Sequence, residues 1–192
     1  MVGNLLVLVG PSGVGKGTVL QKVFADIENL VYSISVTTRP IRPGEVEGKN
    51  YFFVTKETFK EMIEADALLE YAEFVGHFYG TPRAYVHEQR ASGKDVLLEI
   101  EVEGAKQIKQ KMPEAIFIFM APPSLEVLQR RLEARSTESP DKIKERLEKA
   151  RLEITHIDWF QHRIVNEEDD IEGSAQKLKE IILFCRKAPR ES

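Results

Sequence analysis

Leu5-Leu6-Val7-Leu8-Val9-Gly10-Pro11-Ser12-Gly13-Val14-Gly15-Lys16-Gly17-Thr18 is the stretch that decides the fold. Leu5 to Val9 is an unbroken apolar run, the pattern of a strand buried on both faces in a parallel sheet. Glycines 10, 13 and 15 let the backbone turn so that successive N–H groups aim inward at an anion. Beyond them Leu20, Val23, Phe24 and Ile27 recur at helical spacing, which predicts a helix from Lys16 to about Ile27 with one core face. The positive N-terminal end of that helix adds to the anion site, and Lys16 brings a mobile ammonium for β- and γ-phosphates. Strand, glycine loop and helix in this order make a phosphate cradle from Gly10, Ser12, Gly13, Val14, Gly15, Lys16, Gly17 and Thr18.

Working outward, further apolar strand candidates are Val96 to Ile100, Ile116 to Met120 and Arg163 to Val165, with helical stretches between and after them. Alternation of this kind reads as α/β with a parallel sheet. Residues 34 to 84 break the pattern: strand-like Tyr51 to Val54, a short helix marked by Phe59, Met62 and Ile63, then aromatic-rich Glu70 to Tyr79 with Gly76 and Gly80 as turn points. This predicts a small α+β insertion. After Pro122-Pro123, Ser124 is placed to cap a helix carrying Leu125, Leu128 and Leu132. Ser139-Pro140 starts another with Ile143, Leu147, Ala150 and Ile154. Residues 129 to 151 hold eight Lys or Arg.

The chain has 192 residues, 42% hydrophobic and 30% charged, the balance of one soluble globular domain with a core of useful size. A net charge of -4 argues against nucleic acid as the main partner, since backbone binding needs a broad basic surface. Cys185 is the single cysteine, so no internal disulfide forms; the expectation is a buried apolar residue of a late helix in a reducing compartment. Histidines 77, 87, 156 and 162 show no metal-ligand spacing and read as structural or surface groups. No apolar run approaches the ~20 residues of a membrane span and no secretory leader is visible, which points to the cytoplasm and away from membranes. Oligomeric state is not legible.

A second anion site begins at Thr37-Thr38-Arg39-Pro40-Ile41-Arg42. Two arginines three apart, with the hydroxyls of Tyr51 and Tyr79, suit a phosphate because a planar guanidinium donates two parallel hydrogen bonds. Two phosphate sites of different chemistry suggest transfer of a phosphoryl group between two ligands. Glu99 and Glu101, two apart at the end of an apolar strand, point to one face at the edge where ligands bind in doubly wound sheets.

The Gly-Lys-Gly-Thr end of the loop resembles nucleoside monophosphate kinases. The stretch Thr37 to Val54, with Arg39, Arg42, Glu45, Gly48 and Tyr51, resembles the guanylate kinase family. So do Glu70-Tyr71-Ala72, Tyr79-Gly80-Thr81, Ala121 to Ser124, Arg131 to Arg146 and Val165-Asn166, so the similarity spans nearly the whole chain. It implies a P-loop NTPase-type core (residues 1–33, 85–125 and 156–192), a GMP-binding subdomain (34–84) and a helical lid (126–155). The implied activity is ATP-dependent phosphorylation of GMP, and of dGMP, with Mg²⁺. A non-catalytic guanylate-kinase-like module that binds phosphopeptides is the rival reading, disfavoured by the intact glycine loop.

By position, the resemblance implies that Arg39, Arg42, Tyr51 and Tyr79 hold the GMP phosphate while Ser35, Glu70, Thr81 and Glu101 face guanine. Guanine presents N1–H and N2 donors side by side, which suit the Glu70 carboxylate; adenine offers a lone pair there instead. Ser35 or Thr81 would donate to O6. Lys16, Arg39, Arg42, Arg131, Arg135 and Arg146 would carry the catalytic charge, Asn166 would lie on the adenine side, and Glu99 would approach Mg²⁺, directly or through water. Ser12 and Thr18 are the candidate hydroxyls for Mg²⁺, with Thr18 preferred. Two positions depart from the family pattern: Glu101, where aspartate is commoner, and Ser136, where glycine is usual.

Overall fold

A computed structural model describes residues 2–134, 139–168 and 170–187. In chain order it has β1 (Leu5–Val9), α1 (Lys16–Asp26), β2 (Leu30–Tyr32), β3 (Val36–Thr37), β4 (Phe52–Phe53) and α2 (Lys56–Glu64). Next come β5 (Leu68–Phe74), β6 (His77–Pro82), α3 (Arg83–Ala91), β7 (Asp95–Glu99), α4 (Val102–Lys111) and β8 (Ile116–Ala121). The last elements are α5 (Leu125–Ala134), α6 (Pro140–Ile154), a 3-10 turn (Ile157–Trp159), β9 (His162–Val165) and α7 (Ile171–Lys187). The chain divides into two compact units, Met1–Val7 with Asn29–Ala115, and Leu8–Glu28 with Ile116–Ser192.

In the first unit β2, β7 and the start of β1 are neighbours in that order, β2 and β7 being parallel with Leu30 opposite Asp95. The apolar runs of β1 and β7 are buried almost throughout, as a strand covered on both faces requires. The insertion forms its own sheet in the order β4-β3-β6-β5. Val36, Phe59 and Leu68 are buried beneath it with Phe52, Val54, Met62, Ile63 and Phe78 packed around them. Phe59 is fully buried and stacks on Phe78, centroids 5.4 Å apart. Thr55 opens α2 by accepting from the Thr58 N–H, satisfying one of the orphan donors of a helix start.

In the second unit the end of β1, β8 and β9 are neighbours, and β8 pairs β9 in parallel. Ser124 caps as its position predicts, accepting from Val127 N at 3.3 Å. Ser139 occupies the cap position of α6, with Pro140 following, but its side chain makes no capping bond. Leu128, Leu132 and Ala150 join α5 to α6 with Leu125, Ile143 and Leu147 around them. Cys185 is half-buried rather than buried, its sulfur 4.0 Å from His162 Nε2, because the outer face of α7 reaches solvent near its end. Among the described residues no helix is long and apolar enough to cross a membrane.

The predicted strands at Leu5, Tyr51, Val96, Ile116 and Arg163 and the first helix are present within a residue or two of their expected bounds, whereas the stretch expected from Glu70 to Tyr79 is the pair β5 and β6, reaching from Leu68 to Pro82. The two- and three-residue strands β2 and β3 carry too little periodicity to be found by pattern. Val75 and Gly76 join β5 to β6 with φ of 50° and 75°, the sign pattern of a type I′ turn. Glycine suits such a position, whereas a β-branched residue is strained in it. Val75 is 79% exposed, so its side chain contributes little packing in return. Val75→Asn should therefore stabilise the protein by roughly 1 kcal/mol, read as a raised urea midpoint at unchanged m-value.

Candidate active site

The phosphate loop lies within the second unit, and its shape follows from left-handed backbone at two glycines. Gly13 has φ 87° and Gly15, the residue before α1, has φ 101°. A Cβ at Gly13 would lie 2.7 Å from Leu132 Cδ2, and one at Gly15 would lie 2.5 Å from Asn166 Nδ2. Side chains are excluded there by conformation and by space alike. The first turn of α1 holds no acidic residue, so nothing on that turn offsets its positive end.

Turning the peptides this way leaves the Val14 carbonyl facing protein, and two donors meet it. Asn166 Nδ2 donates at 2.7 Å and Arg131 NH1 at 3.1 Å. Arg131 NH2 also donates to the carbonyls of Asn166 (3.0 Å) and Glu167 (2.9 Å). Asn166 itself is 2% exposed. Arg131 thus ties α5 to the loop and to the segment after β9. Arg146 NH1 donates to Ser12 Oγ at 3.2 Å, so α6 also reaches the loop. Lys16 Nζ folds over it, donating to the carbonyls of Gly10 (2.6 Å) and Pro11 (3.3 Å). Thr18 is exposed on the first turn of α1. Arg135 lies outside the described residues, with Ser136, Thr137 and Glu138.

The first unit holds a cavity of about 270 Å³ at the C-terminal ends of β2 and β7. Ser35, Tyr51, Glu70, Tyr79, Glu99 and Glu101 all line it. Glu70 is 6% exposed, and its Oε1 accepts from Thr81 Oγ1 at 2.6 Å. Burial raises the Glu70 pKa above the ordinary carboxylate value; the Thr81 hydrogen bond opposes that rise and the negative charge of Glu101 adds to it. Gly104 on α4 leaves the space that Glu70 occupies, for a Cβ there would lie 2.7 Å from Glu70 Oε2. Glu99 ends β7 and Glu101 precedes α4, so the two-residue spacing does bring both to one cavity. Glu101 is exposed. Tyr32 OH donates to Glu99 Oε2 at 3.3 Å, and burial together with the Glu99 charge raises its pKa, keeping the phenol a donor at neutral pH.

At the arginine end, Arg39 is 8% exposed and its fork grips Glu45: NH1 to Oε2 at 3.0 Å and NH2 to Oε1 at 2.6 Å. Glu45 Oε2 also accepts from Arg42 N at 2.8 Å, and the paired guanidinium holds its carboxyl below the usual range. The Arg39 guanidinium lies over the Tyr51 ring, 5.4 Å from the centroid, and Tyr51 meets Tyr79 edge-on at 6.1 Å. Arg39, Arg42 and Tyr79 line a second cavity of about 430 Å³. Arg39, Tyr51 and Tyr79 are therefore one cluster, with Arg42 in the same turn.

Three residues with clear parts in this geometry escaped sequence reasoning. Glu45 was visible only as a member of a motif; a carboxylate six residues after an arginine in a proline-bounded turn is the signal for the clamp. Gly104, inside a helical stretch, is a signal of close approach. Tyr32 gave none.

Comparison with known proteins follows the same lines. A family model described as guanylate kinase matches residues 2–184. A guanylate kinase of Lactococcus lactis subsp. lactis is 51% identical over 180 residues, covering 94% of this chain and 87% of its own. One from Oceanobacillus iheyensis is likewise 51% identical over 180 residues, covering 94% and 86%. Among solved structures, a guanylate kinase from Anaplasma phagocytophilum superposes with a TM-score of 0.74 at 36% identity, covering 97% of this chain and 88% of that one.

Two outcomes follow from the carboxylate at position 70. Gly104→Ala displaces Glu70 and should weaken binding of a guanine mononucleotide about tenfold, measured by calorimetry. Because the folded-state pKa of Glu70 is raised, ionising it costs more in the folded chain than in the unfolded one. That penalty is absent below the ordinary carboxylate range, grows as pH rises from the ordinary value to the raised one, and is constant above it. Glu70→Gln should therefore melt higher than wild type at pH 7, with the two melting curves converging towards about pH 4.

Proposed function

The chain belongs to the guanylate kinase family, and on that premise we propose that it transfers the γ-phosphoryl group of ATP to the phosphate of GMP, giving ADP and GDP. One observation carries the guanine assignment: a buried carboxylate, Glu70, at the wall of a cavity that Tyr51 and Tyr79 also line, with the Arg39 guanidinium over the Tyr51 ring. A carboxylate there matches the N1–H and N2 donors of guanine and meets a lone pair on adenine. dGMP is proposed as a second acceptor.

The GMP phosphate oxygen attacks the γ-phosphorus in line. It is largely ionised at neutral pH, so no strong general base is needed, and the protein's work is positioning and neutralising charge. Gly10, Ser12, Gly13, Val14, Gly15, Lys16, Gly17 and Thr18 would cradle the ATP phosphates. Lys16, at the start of α1, and Arg146, on α6, both donate to the loop and would bear on the transferring group. Arg131 donates to carbonyls at present, so its contribution runs through the shape of the loop and its positive field. Arg135 is proposed for the same charge cluster. Arg39 and Arg42, with Tyr51 and Tyr79, would hold the acceptor phosphate; Ser35, Thr81 and Glu101 would join Glu70 at the base. Asn166 is assigned to the adenine side.

Mg²⁺ would neutralise phosphate charge when bound. The hydroxyl of Thr18 and the carboxylate of Glu99 are oxygen donors, which fit a hard cation that keeps most of its water. Tyr32 orients Glu99 for that task. The three-part organisation, with residues 34–84 receiving GMP and 126–155 closing over ATP, and a cytoplasmic setting complete the proposal.

The test is a coupled ADP-release assay with GMP, AMP, CMP and UMP as acceptors. Turnover should be confined to GMP and its deoxy form, and equal rates across the panel would overturn the assignment. Lys16→Ala should lose at least about a hundredfold in kcat with an unchanged circular dichroism spectrum. Glu70→Gln sets an amide donor opposite a guanine donor, and its GMP preference over AMP should collapse in the same assay.

A further inference from the structure

The strand that carries Glu70, β5, is an edge strand of the insertion sheet and does not run regularly. Leu68 stands opposite Pro82 and Tyr71 opposite Gly80, so β5 advances three residues while β6 advances two. Leu69 and Glu70 together fall opposite the single residue Thr81, which makes a β-bulge. A regular strand alternates its faces, whereas Leu68, Leu69 and Glu70 are buried in succession. The extra residue turns Glu70 toward Thr81 and the acceptor cavity. Gly80, inside β6 rather than at a turn, makes the room, for a Cβ there would lie 3.0 Å from the Glu70 carbonyl oxygen.

A bulge at a sheet edge leaves backbone groups with no neighbouring strand to bond. Here α4 supplies the partners. Gly104, Gln107 and Lys111 are spaced three and four apart, so they share one face of that helix. Gly104 leaves the space that the Glu70 carboxylate fills. The Gln107 amide meets both backbone groups of Tyr71, accepting from its N–H at 3.2 Å and donating to its carbonyl at 3.0 Å. Lys111 Nζ donates to the Leu68 carbonyl at 2.7 Å. The residues at the two ends of the bulge are each tied to α4 by a side chain, and Glu70 lies between them.

Covering an edge strand against stray pairing requires no particular residue. The paired bonds from Gln107 fall on the neighbour of Glu70, where they fix the bulge and with it the direction of the carboxylate. Gln107 itself stands outside the lining of the cavity. We propose that Gln107 is a positioning residue for guanine recognition, its amide locking the bulge that aims Glu70 at the acceptor base. This inference rests on the guanylate kinase reading of the cavity and deepens it.

Gln107→Met keeps the length of the side chain and removes both hydrogen bonds. The KM for GMP should rise about tenfold while the KM for ATP stays the same. In a Glu70→Ala background the same substitution should add nothing, because the carboxylate it aims is gone. An unchanged KM for GMP, a rise shared equally by ATP, or a full additive effect beside Glu70→Ala would overturn the proposal. Reciprocity supplies a measurement that needs no variant: GMP must strengthen the Gln107–Tyr71 link by the factor by which that link strengthens GMP binding. Saturating GMP should slow hydrogen exchange of the Tyr71 amide about tenfold in wild-type protein, and ribose 5-phosphate, which lacks the base, should leave it unchanged. Exchange that ignores GMP, or that ribose 5-phosphate slows equally, would overturn the proposal even where Gln107→Met fails to fold. Wild type that does not bind GMP defeats the proposed activity, whereas wild type that binds GMP with an indifferent Tyr71 amide defeats the role of Gln107 alone.

Discussion

The carbonyl of Val14 is the point on which the donor half of the chemistry depends. Left-handed backbone at Gly13 and Gly15 turns the neighbouring N–H groups one way and this carbonyl the other. A carbonyl forced against protein must find donors or forfeit its hydrogen bond. It finds two, from Asn166 and from Arg131. The loop is thereby held from outside itself, by the segment after β9 and by α5. With no Cβ at Gly15, the Asn166 amide can approach this closely. Loop, strand end and helix are one hydrogen-bonded unit, so Arg131 acts on the loop before any ligand arrives.

The acceptor half is organised by charge. One cavity is lined by the carboxylates of Glu70, Glu99 and Glu101 together with Tyr51 and Tyr79, and the Arg39 guanidinium lies over the Tyr51 ring. Within that cavity the hydroxyls are not interchangeable. Thr81 and Tyr32 are occupied in holding Glu70 and Glu99 in a fixed orientation. Burial raises the energy of the ionised Glu70, and a ligand donating two hydrogen bonds would restore what burial removes.

Much of this was legible in the sequence because it is carried by contiguous pattern. The apolar run, the glycine spacing and the following helical period place the loop. The spacing of Glu99 and Glu101 places both at one cavity. What was not legible depends on which atoms meet after folding. The sequence presents Arg131 as a charge for phosphates, and only coordinates reveal that its donors are taken by three carbonyls. It presents Thr81 as a free hydroxyl, and only coordinates reveal the bond to Glu70. Ser33 and Ser35 look alike in a row of serines and threonines, and burial alone distinguishes them. Short strands such as β3 are defined by their partners and leave no period of their own.

The Glu45 clamp on Arg39 gives the acceptor site a property that neither half of it has alone. The guanidinium already has an anion, so on the proposed reading an incoming phosphate would compete with a tethered carboxylate at high local concentration. Such an exchange would replace one set of charge-assisted bonds with another and leave little net driving force. Inorganic phosphate or sulfate, having nothing else to offer, would fare poorly against this internal competitor. A nucleotide held by its base as well would prevail, and the site would then act as a coincidence detector for the two ends of one molecule.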